Sequence, residues 1–135
     1  MIASPSTLQW SEEEPPATIS TRQELDRALH KIAAHCTAEH PIIVAIVVHG
    51  YEVGIGLGLP DSFVNIKSRG RNNPVSCLIT VGDGRAKHGA VFFFLDKQRT
   101  EIPQRNLIPT AQARQIVREF FETGARSTGF QWETL

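Results

Sequence analysis

Histidines have the clearest potential for acid–base or metal chemistry in this sequence, because imidazole titrates near neutral pH. Their spacing does not favour a metal site: His30 and His35 are five residues apart, so they point in different directions from a helix. His49 could form an acid–base pair with Glu52 or Asp61 if the fold brought them together. No motif marks a serine or cysteine nucleophile. We therefore predict no catalytic residue, no metal site and no cofactor, and keep an enzyme centred on His49 as an alternative.

Three glycines alternate with four apolar residues in the segment 53–59, which reads V-G-I-G-L-G-L. Period 2 places the apolar side chains on one face of a strand and the glycines on the other. They do not form a nucleotide-binding loop, because such a loop turns into a helix and this segment leads to Pro60. The bare backbone predicts close approach of a helix, an aromatic side chain or an external ligand. A small-ligand-binding domain that uses Gly54 to Gly58 is therefore an alternative function.

The charge balance argues against a dedicated nucleic-acid-binding protein. The 135 residues include 14 basic and 14 acidic side chains, so the formal net charge is zero with histidine neutral. Nucleic-acid-binding proteins usually carry a basic excess. Lys67, Arg69 and Arg71 form a small basic cluster that could contact phosphates with salt-dependent affinity. We expect a solvated turn there, and direct nucleic-acid binding is a further alternative rather than our prediction.

Length and apolar content fit one soluble domain over residues 1–135, of which the first 19 are partly loop. Residues 1–7 lack the basic start and apolar run of a signal peptide. The longest apolar stretch, Ile42 to Val48, is too short to span a bilayer. We therefore expect a cytoplasmic protein that does not bind membranes. Cys36 and Cys77 are expected to be buried and reduced, although the sequence leaves a disulfide between them open.

An acidic segment precedes the first predicted helix. Thr7 to Trp10 is short and suited to a strand, and the run Glu12 to Glu14 follows it before Pro15 and Pro16. Prolines interrupt a strand ladder and neighbouring carboxylates repel one another, so we expect a solvated loop.

The first predicted helix begins at Thr21. Thr21 and Glu24 fit a capping box, in which each side chain satisfies a backbone N–H of the other residue. The helix is expected to end before Pro41. Its inward stripe consists of Leu25, Ala28, Leu29, Ile32, Ala33 and Cys36.

The second predicted helix lies near the C-terminus, where Pro109 and Thr110 provide a helix start and Gly124 an end. We expect Thr110 to cap the helix. The apolar stripe consists of Ala113, Ile116, Val117, Phe120 and Phe121. Phe130 and Trp132 follow on one side of a short extended tail.

Strands fill the region between the two helices. Phe92 to Phe94 are three consecutive phenylalanines, which predict a strand that is central or covered on both faces. Turns are expected at Gly50–Tyr51 and at Gly82 to Gly84. Short connections favour antiparallel pairing. We therefore predict an α+β domain: an antiparallel meander sheet of about four to six strands, with an N-terminal and a C-terminal helix packed on one face.

The C-terminal region resembles a known protein family. The runs I-P-T-A-Q-A, E-F-F-E-T-G-A-R and F-Q-W-E-T-L are similar to the ending of immunity protein family one of bacterial polymorphic toxin systems. Proteins of this family are typically paired with toxins of the nucleic-acid deaminase type. Ser127 stands where the family commonly has a proline. The matching residues, which suggest structural roles, are Pro109, Phe120, Gly124, Arg126 and Trp132.

The resemblance implies a protein without catalytic activity that binds a cognate toxin in a one-to-one complex. It would block the active site or the substrate surface of the toxin, and carboxylates suit this task because a nucleic-acid-binding face is basic. Aromatic residues could act as anchors. The residues that we single out as possible toxin contacts are Trp10, Glu12, Glu13, Glu14, Tyr51, Glu52, Asp61 and Asp83.

Overall fold

The computed structural model describes residues 6–11, 13–68, 77–82, 89–127 and 129–134. Two α-helices lie in these residues, α1 (Arg22–His35) and α2 (Thr110–Thr123), together with a 3-10 helix at Gln104–Asn106. The strands are β1 (Ser6–Gln9), β2 (Ala17–Ile19), β3 (Ile42–Val48), β4 (Tyr51–Leu57), β5 (Asp61–Ser62), β6 (Val64–Ser68), β7 (Cys77–Val81), β8 (Ala90–Leu95), β9 (Gln98–Pro103), β10 (Ile108–Pro109) and β11 (Gln131–Thr134).

Nine of the described strands form one sheet in the order β11–β7–β6–β4–β3–β1–β2, and the β8–β9 hairpin is attached to β3. All pairs are antiparallel except β3–β8, which meet in parallel at Ile42 and Phe94. The α+β class is confirmed, but the predicted four to six strands were too few. Strands such as β2 and β11 have only three and four residues. An alternation that short cannot be distinguished from a loop in the sequence.

Both helices pack on the same face of the sheet. Half of the predicted capping box is present at the start of α1. The Glu24 backbone N–H donates to Thr21 Oγ1 at 3.1 Å, as predicted, but the Glu24 carboxylate accepts from the Thr21 hydroxyl at 3.3 Å rather than from the Thr21 backbone N–H. The buried helical residues are Leu25, Leu29, Ile32, Ala113, Ile116, Val117 and Phe120. They cover a sheet surface made of Leu8, Val44, Ile46, Val48, Val53, Ile55, Leu57, Val64 and Ile66.

The glycine face of β4 is covered by the protein's own side chains. The Phe93 ring lies against Gly56 so closely that a Cβ there would overlap it, and the Asn65 side chain covers Gly54 in the same way. A Cβ on Gly58 would lie 2.7 Å from the Cβ of Cys36. The prediction that an aromatic side chain approaches this backbone is therefore confirmed. The open surface required by the ligand-binding alternative is absent from these three positions.

The β8–β9 hairpin forms a second, smaller core beneath the sheet. Phe93 is completely buried there among Ile43, Phe63, Ile79 and Ile102, and its ring meets Phe63 edge to face at a centroid distance of 5.2 Å. The prediction that β8 is central or covered on both faces was wrong. Phe92 is 42% exposed, because β8 pairs with β3 at a single position and buries only its inner side.

The 3-10 helix is fixed by a buried amide. Asn106 is 1% exposed, and its Nδ2 donates to the Thr80 carbonyl at 2.9 Å and to Glu133 Oε1 at 2.8 Å. Thr80 Oγ1 donates back to the Asn106 carbonyl at 3.0 Å. These bonds join β7, β11 and the connection that leads into α2.

We predict that Gly56→Ala lowers the free energy of unfolding by about 2 kcal/mol, because the added methyl group forces the Phe93 ring out of its packed position. The measurement is denaturant unfolding followed by circular dichroism. Gly129→Ala is the matched control, since a Cβ at Gly129 meets nothing within 4 Å. Equal stability of the two variants would contradict this account of the glycine face.

Candidate functional site

Several connections meet at the end of the sheet where β3 begins and β4 ends. Gln9 pairs with Ala45, so the chain that follows β1 continues toward this end. The turn before β3, strand β5 and the tip of the β8–β9 hairpin lie here as well. We call this surface the acidic end and define it by five carboxylates on these connections: Glu13, Glu14, Glu39, Asp61 and Asp96.

A cavity of about 170 Å³ at the acidic end brings two of these carboxylates together. Ser11 Oγ donates to Asp96 Oδ1 at 3.3 Å, which ties the chain after β1 to the hairpin tip. Lys97 Nζ lies 3.5 Å from Glu13 Oε1, but both side chains are largely exposed, so this ion pair contributes little to stability. The cavity is lined by Trp10, Ser11, Glu13, His40, Ile42, Asp96 and Lys97.

Trp10 is half-buried at the border of this cavity. Its ring is stacked on His35, with centroids 6.4 Å apart and planes within 8° of parallel, and its body packs against the main core. Trp10 thus supports the acidic loop and leaves part of its ring accessible.

Two cations near the acidic end are already paired within the protein. Lys97 lies 3.5 Å from Glu13, and Arg105 lies 3.2 Å from Glu133. The exposed carboxylates Glu14 and Glu39 add negative charge to this surface.

Two predicted contacts, Tyr51 and Glu52, lie away from the acidic end. They begin β4, and seven residues of strand place them about 20 Å from its other end. Tyr51 packs edge to face on Phe120 at 5.5 Å, whereas Glu52 points to the other face of the sheet, opposite Lys67 in β6. Of the remaining predicted contacts, Glu12 and Asp83 lie outside the described residues.

Two acidic-end residues, Glu39 and Asp96, were not singled out from the sequence. Glu39 lies in an exposed turn closed by a bridge between Thr37 and His40, and Asp96 lies at the hairpin tip with a φ of 57°. Neither belongs to a charge run or a motif. A polar pair such as Asp96-Lys97 after an aromatic strand was the only available sign of a hairpin tip.

His49 has a structural contact that excludes the acid–base pair considered above. Its Nε2 lies 2.9 Å from the Phe121 carbonyl, which can only accept, so Nε2 carries the proton and donates. Glu52 points to the other face of the sheet, and Asp61 lies at its other end. The possibility of a catalytic pair at His49 was therefore wrong. Among the residues described, no group of histidine, cysteine and carboxylate side chains could hold a metal ion.

The basic cluster considered for phosphate contacts is only partly described. Lys67 is exposed on β6, whereas Arg69 and Arg71 lie outside the described residues. Both cysteines are free thiols, but the prediction that they are buried was wrong, because both are only half-buried. Cys36 Sγ donates to the Ile32 carbonyl at 3.4 Å, and burial raises the pKa of this thiol.

A groove of about 660 Å³ runs along the outer side of α2. Its charges are largely paired within the protein: Arg118 Nε donates to Asp26 Oδ1 at 2.7 Å, and Arg22 lies 3.3 Å from Glu122. These contacts hold α1 against α2 and leave no concentration of one charge in the groove.

The residues of the C-terminal motif hold α2 at both ends. Pro109 is the N-cap residue, and Thr110 Oγ1 donates to the Leu59 carbonyl at 2.7 Å, so the predicted capping by Thr110 was wrong. Gly124 ends the helix with a φ of 74°, and its N–H donates to the Phe120 carbonyl at 2.8 Å. Phe120 is buried, Trp132 packs half-buried against the core, and Arg126 is exposed.

Ser127 fixes the turn after α2 through a side-chain hydrogen bond. Its Oγ donates to Glu119 Oε2 at 2.7 Å, and Gln115 Nε2 donates to Glu119 Oε1 at 3.2 Å. These two hydrogen bonds, the one from Ser127 first, lower the pKa of Glu119.

Comparison with known proteins identifies the family. Residues 13–134 match the family described as Immunity protein Imm1, and the match covers most of the chain. The chain therefore belongs to the Imm1 family of immunity proteins, and the resemblance drawn from the C-terminal motif is confirmed. Membership indicates neutralisation of a toxin. None of the curated proteins matches this sequence.

The described helices are not suited to crossing a membrane. Neither α1 nor α2, each 14 residues long, has the length and apolar character needed to cross a bilayer, and no other described helix does.

We predict that Ser127→Ala moves the pKa of Glu119 up toward its ordinary value. Because the folded pKa of Glu119 is lowered, its stabilising contribution is present at neutral pH and is lost as pH falls through that lowered pKa. In Ser127→Ala this contribution should be smaller, and its loss should be complete at a higher pH. An NMR titration of the Glu119 carboxyl carbon measures this directly. Thr18→Ala, at an exposed hydroxyl on β2, is the control and should leave the titration unchanged.

Proposed function

We propose that this protein neutralises a toxin of the nucleic-acid deaminase type by covering its active site or substrate surface with the acidic end. The observation that carries the proposal is the Imm1 family match over residues 13–134. The resemblance of its C-terminal motif to immunity proteins paired with deaminase toxins supports the type of toxin. The protein acts in the cytoplasm, forms a one-to-one complex and has no catalytic role.

The chemistry of the acidic end supports this choice of partner. A deaminase holds the phosphates of its substrate with basic side chains and draws the target base into a pocket. Glu13, Glu14 and Glu39 are exposed, so they are free to approach such a basic surface without a large desolvation cost. Opposite charges also steer the two proteins together and raise the association rate.

Two of the competing functions have lost the features on which they depended. Asn65, Phe93 and Cys36 fill the space beside the three glycines, so no ligand pocket lies over Gly54 to Gly58. The imidazole of His49 is used in a bond to the backbone of α2. No observation favours a second function over toxin binding.

Co-expression tests the proposal. The tagged chain is produced together with the toxin domain encoded beside it, and the purified product is examined for a one-to-one complex, for growth rescue and for deamination of single-stranded DNA and RNA. The proposal expects a stable complex, rescued growth and loss of deamination. A toxin that stays lethal and active beside a folded, soluble partner chain would refute it for that pair.

We predict that the triple variant Glu13→Gln, Glu14→Gln, Glu39→Gln associates with the toxin about tenfold more slowly at low salt, because it loses three steering charges. The difference should shrink as salt is added, since salt screens exposed charges. Stopped-flow association or surface plasmon resonance at several salt concentrations measures both effects.

Glu52→Gln is the matched control for this prediction. It removes one carboxylate from the opposite end of the sheet, so the association rate should stay within about twofold of wild type. A slower association of Glu52→Gln than of the triple variant would show that the toxin approaches the other end.

A further inference from the structure

The described residues include three large apolar side chains with substantial exposure. Tyr51 is 37% exposed, Phe92 42% and Leu95 43%. Tyr51 has a partner, because its ring packs on Phe120 at 5.5 Å. Phe92 and Leu95 both lie on β8 but on opposite sides of that strand. Phe92 is thus an aromatic ring on the outer side of β8 with 42% of its surface exposed.

The position of Phe92 is fixed by its neighbours. Phe93 is fully buried against Gly56, and the Phe94 N–H donates to the Pro41 carbonyl at 2.8 Å. The Phe94 ring is stacked on His40 with centroids 4.0 Å apart. Because Phe93 and Phe94 are both held by these contacts, the backbone at Phe92 is fixed. Binding through the Phe92 ring therefore costs little conformational entropy.

Charged groups surround the Phe92 ring in a defined pattern. Arg99 Cζ lies 4.1 Å from the ring centroid, so a cation already occupies one side of the ring. Glu101 is directly opposite Phe92 in β9, and the hairpin continues to Asp96 at the acidic end. The outer side of the hairpin therefore shows an aromatic ring with Arg99 on one side and the exposed carboxylate of Glu101 opposite it, while the half-buried Asp96 lies farther along at the hairpin tip.

We propose that the outer side of the β8–β9 hairpin enters the substrate cleft of the toxin, with the Phe92 ring in the place of the target base and the Glu101 carboxylate in the place of a phosphate. This inference rests on the proposed function. A cleft that receives a flipped base offers an apolar pocket with cations around it, so it can receive an aromatic ring that has an exposed carboxylate beside it. The part of the toxin that contacts the hairpin in this proposal is its basic, substrate-binding face.

Binding measurements with Phe92→Ala and Leu95→Ala test the inference. Leu95 is the matched control, because it lies on the same strand with nearly the same exposure but on the other side. The purified toxin domain encoded beside the chain is titrated with each variant by calorimetry. We expect Phe92→Ala to weaken binding by about tenfold or more and Leu95→Ala to change it by about twofold or less.

A competition experiment tests the position in the cleft. A single-stranded oligonucleotide substrate of the toxin should displace the wild-type chain. Unchanged binding by folded Phe92→Ala, or a complex that binds the oligonucleotide undiminished, would overturn the inference and leave the proposed function standing. Failure of the wild-type chain to bind or inhibit the toxin would overturn both.

Two further readouts keep the test decisive. If Phe92→Ala does not fold, a photo-crosslinking phenylalanine analogue at position 92 replaces it, and crosslinks must map to the toxin cleft. Crosslinks elsewhere on the toxin would overturn the inference. Size-exclusion chromatography of the free chain gives the last outcome: a dimer that Phe92→Ala abolishes would assign this surface to self-association instead.

Discussion

The packing of Phe93 against the backbone of Gly56 is the contact on which the second face of the sheet depends. The ring fits there only because residue 56 has no side chain. This contact holds the β8–β9 hairpin in place, although β8 pairs with β3 at a single position. Once Phe93 is buried, strand alternation turns Phe92 outward. The exposed ring and the location of the acidic hairpin tip therefore both follow from one packed pair.

The fold was predictable in those elements where many residues follow the same hydrophobic pattern. Both helices have long apolar stripes and recognisable ends, and Thr21 caps the start of α1 as predicted. Strand number was not predictable, because β2 and β11 are three and four residues long. Three consecutive phenylalanines indicated burial on both sides of β8. The packing of the hairpin instead buries only one side of β8. Which side is covered depends on tertiary contacts, which the local sequence pattern does not contain.

The candidate surface was only partly visible in the sequence for a related reason. A run such as Glu13-Glu14 is conspicuous, but Glu39 and Asp96 are single residues in separate connections. They join that run only because β1 and the β8–β9 hairpin both pair with β3. Conversely, Glu52 looked equivalent in the sequence and lies about 20 Å away along β4. Sheet topology decides which carboxylates share a surface. Their spacing along the chain does not contain this information.

The even balance of charges has a consequence for the behaviour of the protein in concentrated solution. With a formal net charge of zero, no overall repulsion keeps the molecules apart. Attraction between unlike charged groups on neighbouring molecules is screened over a Debye length of about 10 Å at 0.1 M salt. We therefore expect the solubility of the protein near neutral pH to rise when salt is added at low ionic strength.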